Sequence, residues 1–168
     1  PVEVLQTSGS VDNMRRLMGG SADVAFSTVD VAATAQDGDK PFDTARPIAA
    51  LASLYDDYLH IVVRVDAGIT RISDLAGRQV STGPVNSAID ILASRLLTAA
   101  ALTDTRKPVL TNDDPAAADD LLAGGAIDAF FTIGGLPDDT VKRLAERVPV
   151  RLLPVEDEVG TLLDRFGE

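Results

Sequence analysis

Apolar and polar positions alternate from Val2 to Gln6, which predicts a strand. The small polar turn Thr7-Ser8-Gly9-Ser10 follows, and then Val11, Met14, Leu17 and Met18 recur at helical spacing. Gly19-Gly20 supplies the stop. A second strand is predicted from Asp23 to Phe26, ending near Ser27-Thr28, and a short helix over Val29–Gln36. Residues 37–46 form a charged loop. The apolar stretch Pro47–Asp66, broken by Tyr55-Asp56-Asp57-Tyr58, predicts two strands, Ile48–Leu54 and Leu59–Val65. Beyond it the pattern alternates: strand Gln79–Thr82, helix Ser87–Ala101, strand Val109–Thr111, helix Pro115–Ala123, strand Ile127–Thr132, helix Asp138–Arg147, strand Val150–Val155 and a last helical pattern over Val159–Phe166. Strands separated by helices and short connections imply an α/β fold with mostly parallel sheets.

The chain also matches itself. Leu17-Met18-Gly19-Gly20-Ser21-Ala22-Asp23-Val24-Ala25-Phe26 lies beside Leu122-Ala123-Gly124-Gly125-Ala126-Ile127-Asp128-Ala129-Phe130-Phe131. The Gly-Gly pair, the Asp three positions on and the Phe three further coincide, and each copy follows a strand, a polar turn and a helix. One α/β lobe used twice accounts for this; the plainer alternative is that any helix–Gly–strand corner has this look. The reading is two similar lobes: a first over 1–66, a second over 67–155, and a return segment beginning at 156–168. The second copy is preceded by its own strand and helix and the first is not, so the first lobe is expected to lack its initial strand and helix.

Composition narrows the function. Of 168 residues, 45% are hydrophobic and 24% charged, enough for a packed core, while aromatics are only 4%. Aliphatic side chains therefore fill the sheet faces. The net charge of −11 argues against nucleic acid, which is held through Lys and Arg. With no cysteine and one histidine, His60, thiol catalysis and a His-rich metal site are excluded. No apolar run is long enough to span a bilayer. The opening strand, without signal peptide or initiator Met, reads as a fragment or a mature piece.

Ligands of open parallel sheets sit beyond the carboxyl ends of the strands. Those ends are rich in Ser, Thr, Asn and Gly: Thr7-Ser8-Gly9-Ser10, Ser27-Thr28, Ser81-Thr82-Gly83, Thr111-Asn112 and Thr132-Ile133-Gly134-Gly135. Hydroxyls and backbone N–H groups at helix N-termini suit a carboxylate. The candidate ligand residues are Ser8, Ser10, Asn13, Thr28, Asp30, Tyr58, Ser87, Asp90, Gly134 and Gly135. Each has a plainer role: Ser10 and Ser87 as helix caps, Asp30 and Asp90 as first-turn acids favoured by the helix dipole, Tyr58 as cover for a lobe edge. As a contact, Asp90 would recognise an amine. No nucleophile elbow, phosphate loop or metal-ligand pair is present, and acid pairs such as Asp56-Asp57 are adjacent and point apart. No enzyme activity, cofactor or metal is expected.

Five segments together resemble the TAXI group of TRAP-transporter solute receptors. They are Thr7–Asn13, Ala22–Phe26, Leu54–Arg64 with its Tyr55-Asp56-Asp57-Tyr58-Leu59-His60 run, Asp74–Val80, and Asp128–Phe131 with Gly134-Gly135-Leu136-Pro137. The resemblance spans nearly the whole chain in order. It implies a two-lobed protein of the type 2 periplasmic-binding-protein fold, periplasmic or cell-surface, with a lipid anchor as one form of the full-length protein. It further implies a small-molecule ligand, an amino acid or carboxylate such as glutamate or a dicarboxylate, and TRAP transporter membrane subunits as partners. Family members are longer and open with a strand and a Gly-rich, Tyr-containing loop not found here. The sequence departs from the family at Asn86-Ser87-Ala88-Ile89-Asp90, where a Gly-Ser-Gly-Thr-Glu-like run is usual; Ser87 and Asp90 keep a hydroxyl and an acid. On this reading Ser8, Ser10 and Asn13 face Ser87, Asp90 and Gly134-Gly135 across a cleft. The alternatives are an effector-sensing domain of a regulator and an enzyme on the same scaffold.

Overall fold

The computed structural model describes residues 2–166. The chain divides into two compact units, Pro1–Leu54 with Val85–Ala88, and Tyr55–Pro84 with Ile89–Glu168. The boundary at Leu54 differs from the expected 66, because the strand at Tyr58–Arg64 is hydrogen-bonded into the second unit's sheet.

In the first unit, α1 spans Ser10–Met18 and α2 spans Val29–Asp37. Val11 and Met14 from α1 and Val31 and Ala35 from α2 are buried together with Phe42. The i, i+3 and i, i+4 spacing of these residues is what sets the two helix faces. The strands expected at Val2–Gln6, Asp23–Phe26 and Ile48–Leu54 are absent among the described residues: none of these segments pairs in a ladder, and Asp23 and Val24 lie in a bend. Alternation makes a segment fit for a sheet, but a strand forms only where a neighbouring chain takes its N–H and C=O groups. Val2, Val24, Phe26 and Leu51 accordingly remain exposed.

The second unit is built on one five-stranded sheet. Its strands are β1 (Tyr58–Arg64), β2 (Gln79–Ser81), β3 (Val109–Thr111), β4 (Ala129–Gly134) and β5 (Val150–Leu152), in the order β3-β2-β4-β1-β5. β2 runs parallel to β3 and β4, whereas β1 runs antiparallel to β4 and β5. The sheet is therefore mixed rather than mostly parallel: hydrophobic alternation reveals that β1 is a strand and is blind to its direction. Successive side chains of β1 go to opposite faces. Ile61 and Val63 pack with Leu96 and Leu97 of α3 (Ala88–Ala99), and Val62 packs with Leu122 of α4 (Pro115–Gly124) and Leu144 of α5 (Asp139–Arg147). β4 does the same with Phe131 and Phe130, both at 1% exposure or less. Burying one such ring contributes roughly 1.5–3 kcal/mol. The last helix, α6 (Glu156–Phe166), lays Leu162 against the α3-side core, so the segment expected to begin a return is part of the second unit.

The repeat has a geometric counterpart. Gly20 and Gly125 adopt φ of 73° and 75°. Gly20 N donates to Leu17 O and Ser21 N to Arg16 O, at 3.1 and 2.9 Å; Gly125 N donates to Leu122 O and Ala126 N to Leu121 O, at 3.1 and 2.9 Å. The two corners thus end α1 and α4 with the same hydrogen-bond pattern, and one lies in each compact unit. Left-handed φ at this place is what reserves it for glycine.

Candidate functional site

In the first unit the start of α1 is assembled from the Thr7–Asn13 run. Gly9 precedes the helix at φ 125°, a conformation closed to L side chains. Thr7 Oγ1 donates to Asn13 Oδ1 at 2.6 Å, and Asn13 Nδ2 donates to the Phe26 carbonyl at 2.8 Å. Asn13 therefore ties α1 to the segment leading into α2. Ser8 N donates to Asp12 at 3.3 Å. Ser10 is the first residue of the helix rather than its cap, and its hydroxyl accepts from Thr28 N at 3.3 Å. Thr28 precedes α2, yet its hydroxyl makes no capping bond to it. The first turns of α1 and α2 are thus joined directly, and no side chain caps either one. First-turn amides have no partner within their own helix and carry the positive end of its dipole.

Two more candidates, Asp30 and Ser87, belong to this unit with Thr28. Thr28 Oγ1 and Asp30 Oδ2 are enclosed and make no hydrogen bond with any described group. Ser87 is 5% exposed and belongs to the first unit with its neighbours 85–88; a Cβ on Gly9 would stand 3.5 Å from the Ser87 Cβ. This differs from the expected place of Ser87 in the second lobe, which follows from its standing directly before α3, most of which lies in the second unit.

The second unit gathers other candidates at one end of its sheet. β2, β3 and β4 are parallel, so Ser81, Thr111 and Gly134 mark a common carboxyl end. The antiparallel β1 starts there, with Tyr58 paired to Gly134. Thr82 Oγ1 donates to Asp90 Oδ1 at 2.9 Å. Asn112 Nδ2 lies 3.1 Å from Thr82 Oγ1, 2.9 Å from Gly83 O and 3.2 Å from Asp90 Oδ1. Thr82 and Asn112 were visible in the sequence only as strand ends; their bonds to Asp90 join three separate segments. Gly134 has a structural reason for lacking a side chain: a Cβ there would lie 2.9 Å from Asp138 Oδ2, and Asp138 caps α5 through Val141 N. Gly135 faces Tyr55, 3.9 Å from its would-be Cβ.

Among the described residues no group of three His, Cys, Asp or Glu side chains could hold a metal, and no helix is long and apolar enough to cross a membrane. An open groove of about 330 Å³ in the first unit is lined by Arg15, Met18, Pro41, Phe42, Asp43 and Arg46, and by none of the candidates.

Residues 1–165 match the model of the NMT1-like family. The chain belongs to the NMT1-like family. Solved structures similar to this NMT1-like chain are binding proteins by name. The alkanesulfonate-binding protein SsuA from Xanthomonas axonopodis pv. citri, bound to MOPS, is 21% identical, with 89% of this chain and 48% of that one covered and a TM-score of 0.55. The periplasmic aliphatic sulphonate binding protein SsuA from Escherichia coli is 26% identical, with coverage of 56% and 31% and a TM-score of 0.48. The holo form of ArgBP from T. maritima is 23% identical, with coverage of 61% and 42% and a TM-score of 0.42. The match at 0.55 shows the fold, an α/β fold of the periplasmic-binding-protein kind with a mixed sheet flanked by helices. The NMT1-like chain spans less than half the length of each of these three structures.

Proposed function

We propose that this NMT1-like chain is the ligand-binding part of an extracytoplasmic receptor that captures a small organic anion and delivers it to a TRAP-type membrane transporter. The ligand class is an amino acid or carboxylate, glutamate-like or dicarboxylic. The observation that carries the reading is the joined, side-chain-uncapped start of α1 and α2, where Thr28 N meets Ser10 Oγ. Two sets of first-turn amides with hydroxyls among them hold a carboxylate without a counter-charge, even on a protein of net charge −11. Family membership supports a solute-binding role, and the TAXI-like segments support TRAP delivery and a place outside the cytoplasmic membrane.

The proposed ligand contacts are Ser8, Ser10, Asn13, Thr28, Asp30, Tyr58, Ser87, Asp90 and the Gly134-Gly135 backbone. The protein acts by binding and release, without covalent chemistry. Calorimetric titration with amino acids, dicarboxylates and alkanesulfonates tests the reading. Saturable binding of a carboxylate, weakened at least tenfold by Ser10→Ala, is expected. No heat with any carboxylate overturns it, and a response confined to alkanesulfonates replaces the proposed ligand class.

A further inference from the structure

Asp90 stands at the carboxyl end of the sheet, where Asp113 also lies, the Asp113 carboxylate taken up by the Thr111 hydroxyl at 2.6 Å. Asp90 does not stand loosely: one of its oxygens accepts from the Thr82 hydroxyl, which is 1% exposed as a residue, and lies within reach of the Asn112 amide. Asn112 also reaches Thr82 Oγ1 and the Gly83 carbonyl, so one side chain fixes the end of β2, the loop after it and the first turn of α3. Hydrogen bonds in such a relay polarise one another and fix the direction of the terminal acceptor. The result is a carboxylate held at the carboxyl end of the sheet, the place where ligands of this fold class are met.

We infer that Asn112 is a positioning residue for ligand selectivity, holding Asp90 directly and through Thr82 so that the receptor takes an amino acid in preference to the same carboxylic acid without its amino group. This rests on the reading of the chain as an anion receptor and on Asp90 as one of its contacts. A fixed carboxylate attracts an ammonium group, so it raises affinity for a guest that carries one over the same guest without it. Without Asn112 the carboxylate has one orienting donor fewer and the discrimination fades.

The experiment titrates the full chain with L-glutamate and with glutarate, which differs only in lacking the amino group, for the native protein and for Asn112→Ala and Asn112→Leu. Melting temperature is recorded alongside. The native protein is expected to prefer glutamate at least tenfold, and both variants to bring that ratio to within about threefold of unity, mainly by loss of glutamate affinity. Asn112→Leu keeps the side chain's bulk without donors or charge, so agreement of the two variants separates lost donors from lost packing. Equal or tighter binding of glutarate by the native protein overturns the inference while the anion-receptor reading stands. A ratio unchanged in both variants, whatever their melting temperatures, assigns Asn112 a purely structural role and also overturns it. No binding of either probe overturns the inference together with the reading on which it rests.

Discussion

The backbone N–H of Thr28 donates to the hydroxyl of Ser10 at 3.3 Å, and this one bond brings the first turns of α1 and α2 together. It uses the hydroxyl oxygen as an acceptor and leaves its proton able to donate. Ser10→Ala removes both functions. A net hydrogen bond contributes about 0.5–1.5 kcal/mol to folding, so a modest fall in stability is expected in thermal denaturation. Carboxylate affinity is expected to fall at least tenfold, out of proportion to that loss.

Gly134 and Asp138 are coupled. A methyl group at Gly134 would lie 2.9 Å from Asp138 Oδ2, while Asp138 Oδ1 accepts from Val141 N at 2.9 Å. Gly134→Ala and Asp138→Ala should each cost about 1–2 kcal/mol, the first by displacing the cap and the second by deleting it. Their costs should not add, because the double variant has no carboxylate left to displace. Urea denaturation of the four proteins in the cycle measures this coupling.

Asp74 gives the second unit an acid-sensitive turn. Its carboxylate accepts from Thr70 N at 3.0 Å, Thr70 Oγ1 at 3.1 Å and Arg71 N at 3.3 Å, and the Thr70 amide is the main cause of a pKa lowered below 3.8. A lowered folded value means the unfolded chain binds the proton first as pH falls. The contribution is complete above the ordinary aspartate range and is lost as pH drops through the lowered folded value. Asp74→Asn should therefore flatten the acid limb of a stability–pH curve measured by circular dichroism, with the clearest difference above pH 4.

The exposed apolar rows of the first unit predict self-association. Val2 is 94% exposed, Leu51 80% and Phe26 73%, on segments whose backbone is unladdered. Such segments are templates for intermolecular pairing. Light scattering should show growth of large species with concentration, reduced by Phe26→Ser. That substitution leaves the Phe26 carbonyl available to Asn13.

Local physics made much of the molecule readable. The helix periods at Val11–Met18 and along Ile91, Leu92, Leu96 and Leu97 correspond to α1 and α3, and Gly20 and Gly125 occupy the left-handed corners that their pairing implied. What escaped was set by contacts distant in sequence. The direction of β1 depends on which end of the sheet the chain enters. The segments at Val2–Gln6 and Asp23–Phe26 carry a strand pattern without ladder partners. Ser87 falls in the first unit although most of the helix after it is in the second. The Thr82–Asp90–Asn112 network has no local signature, because its members come from a strand end, a helix turn and a second strand end.

Amide chemical-shift mapping during titration with glutamate tests the central claim most directly. Saturable shifts concentrated at the amides of Ser10, Val11 and Asp12 and of Val29, Asp30 and Val31 are the predicted result. Saturable binding that leaves all six unmoved would contradict the account.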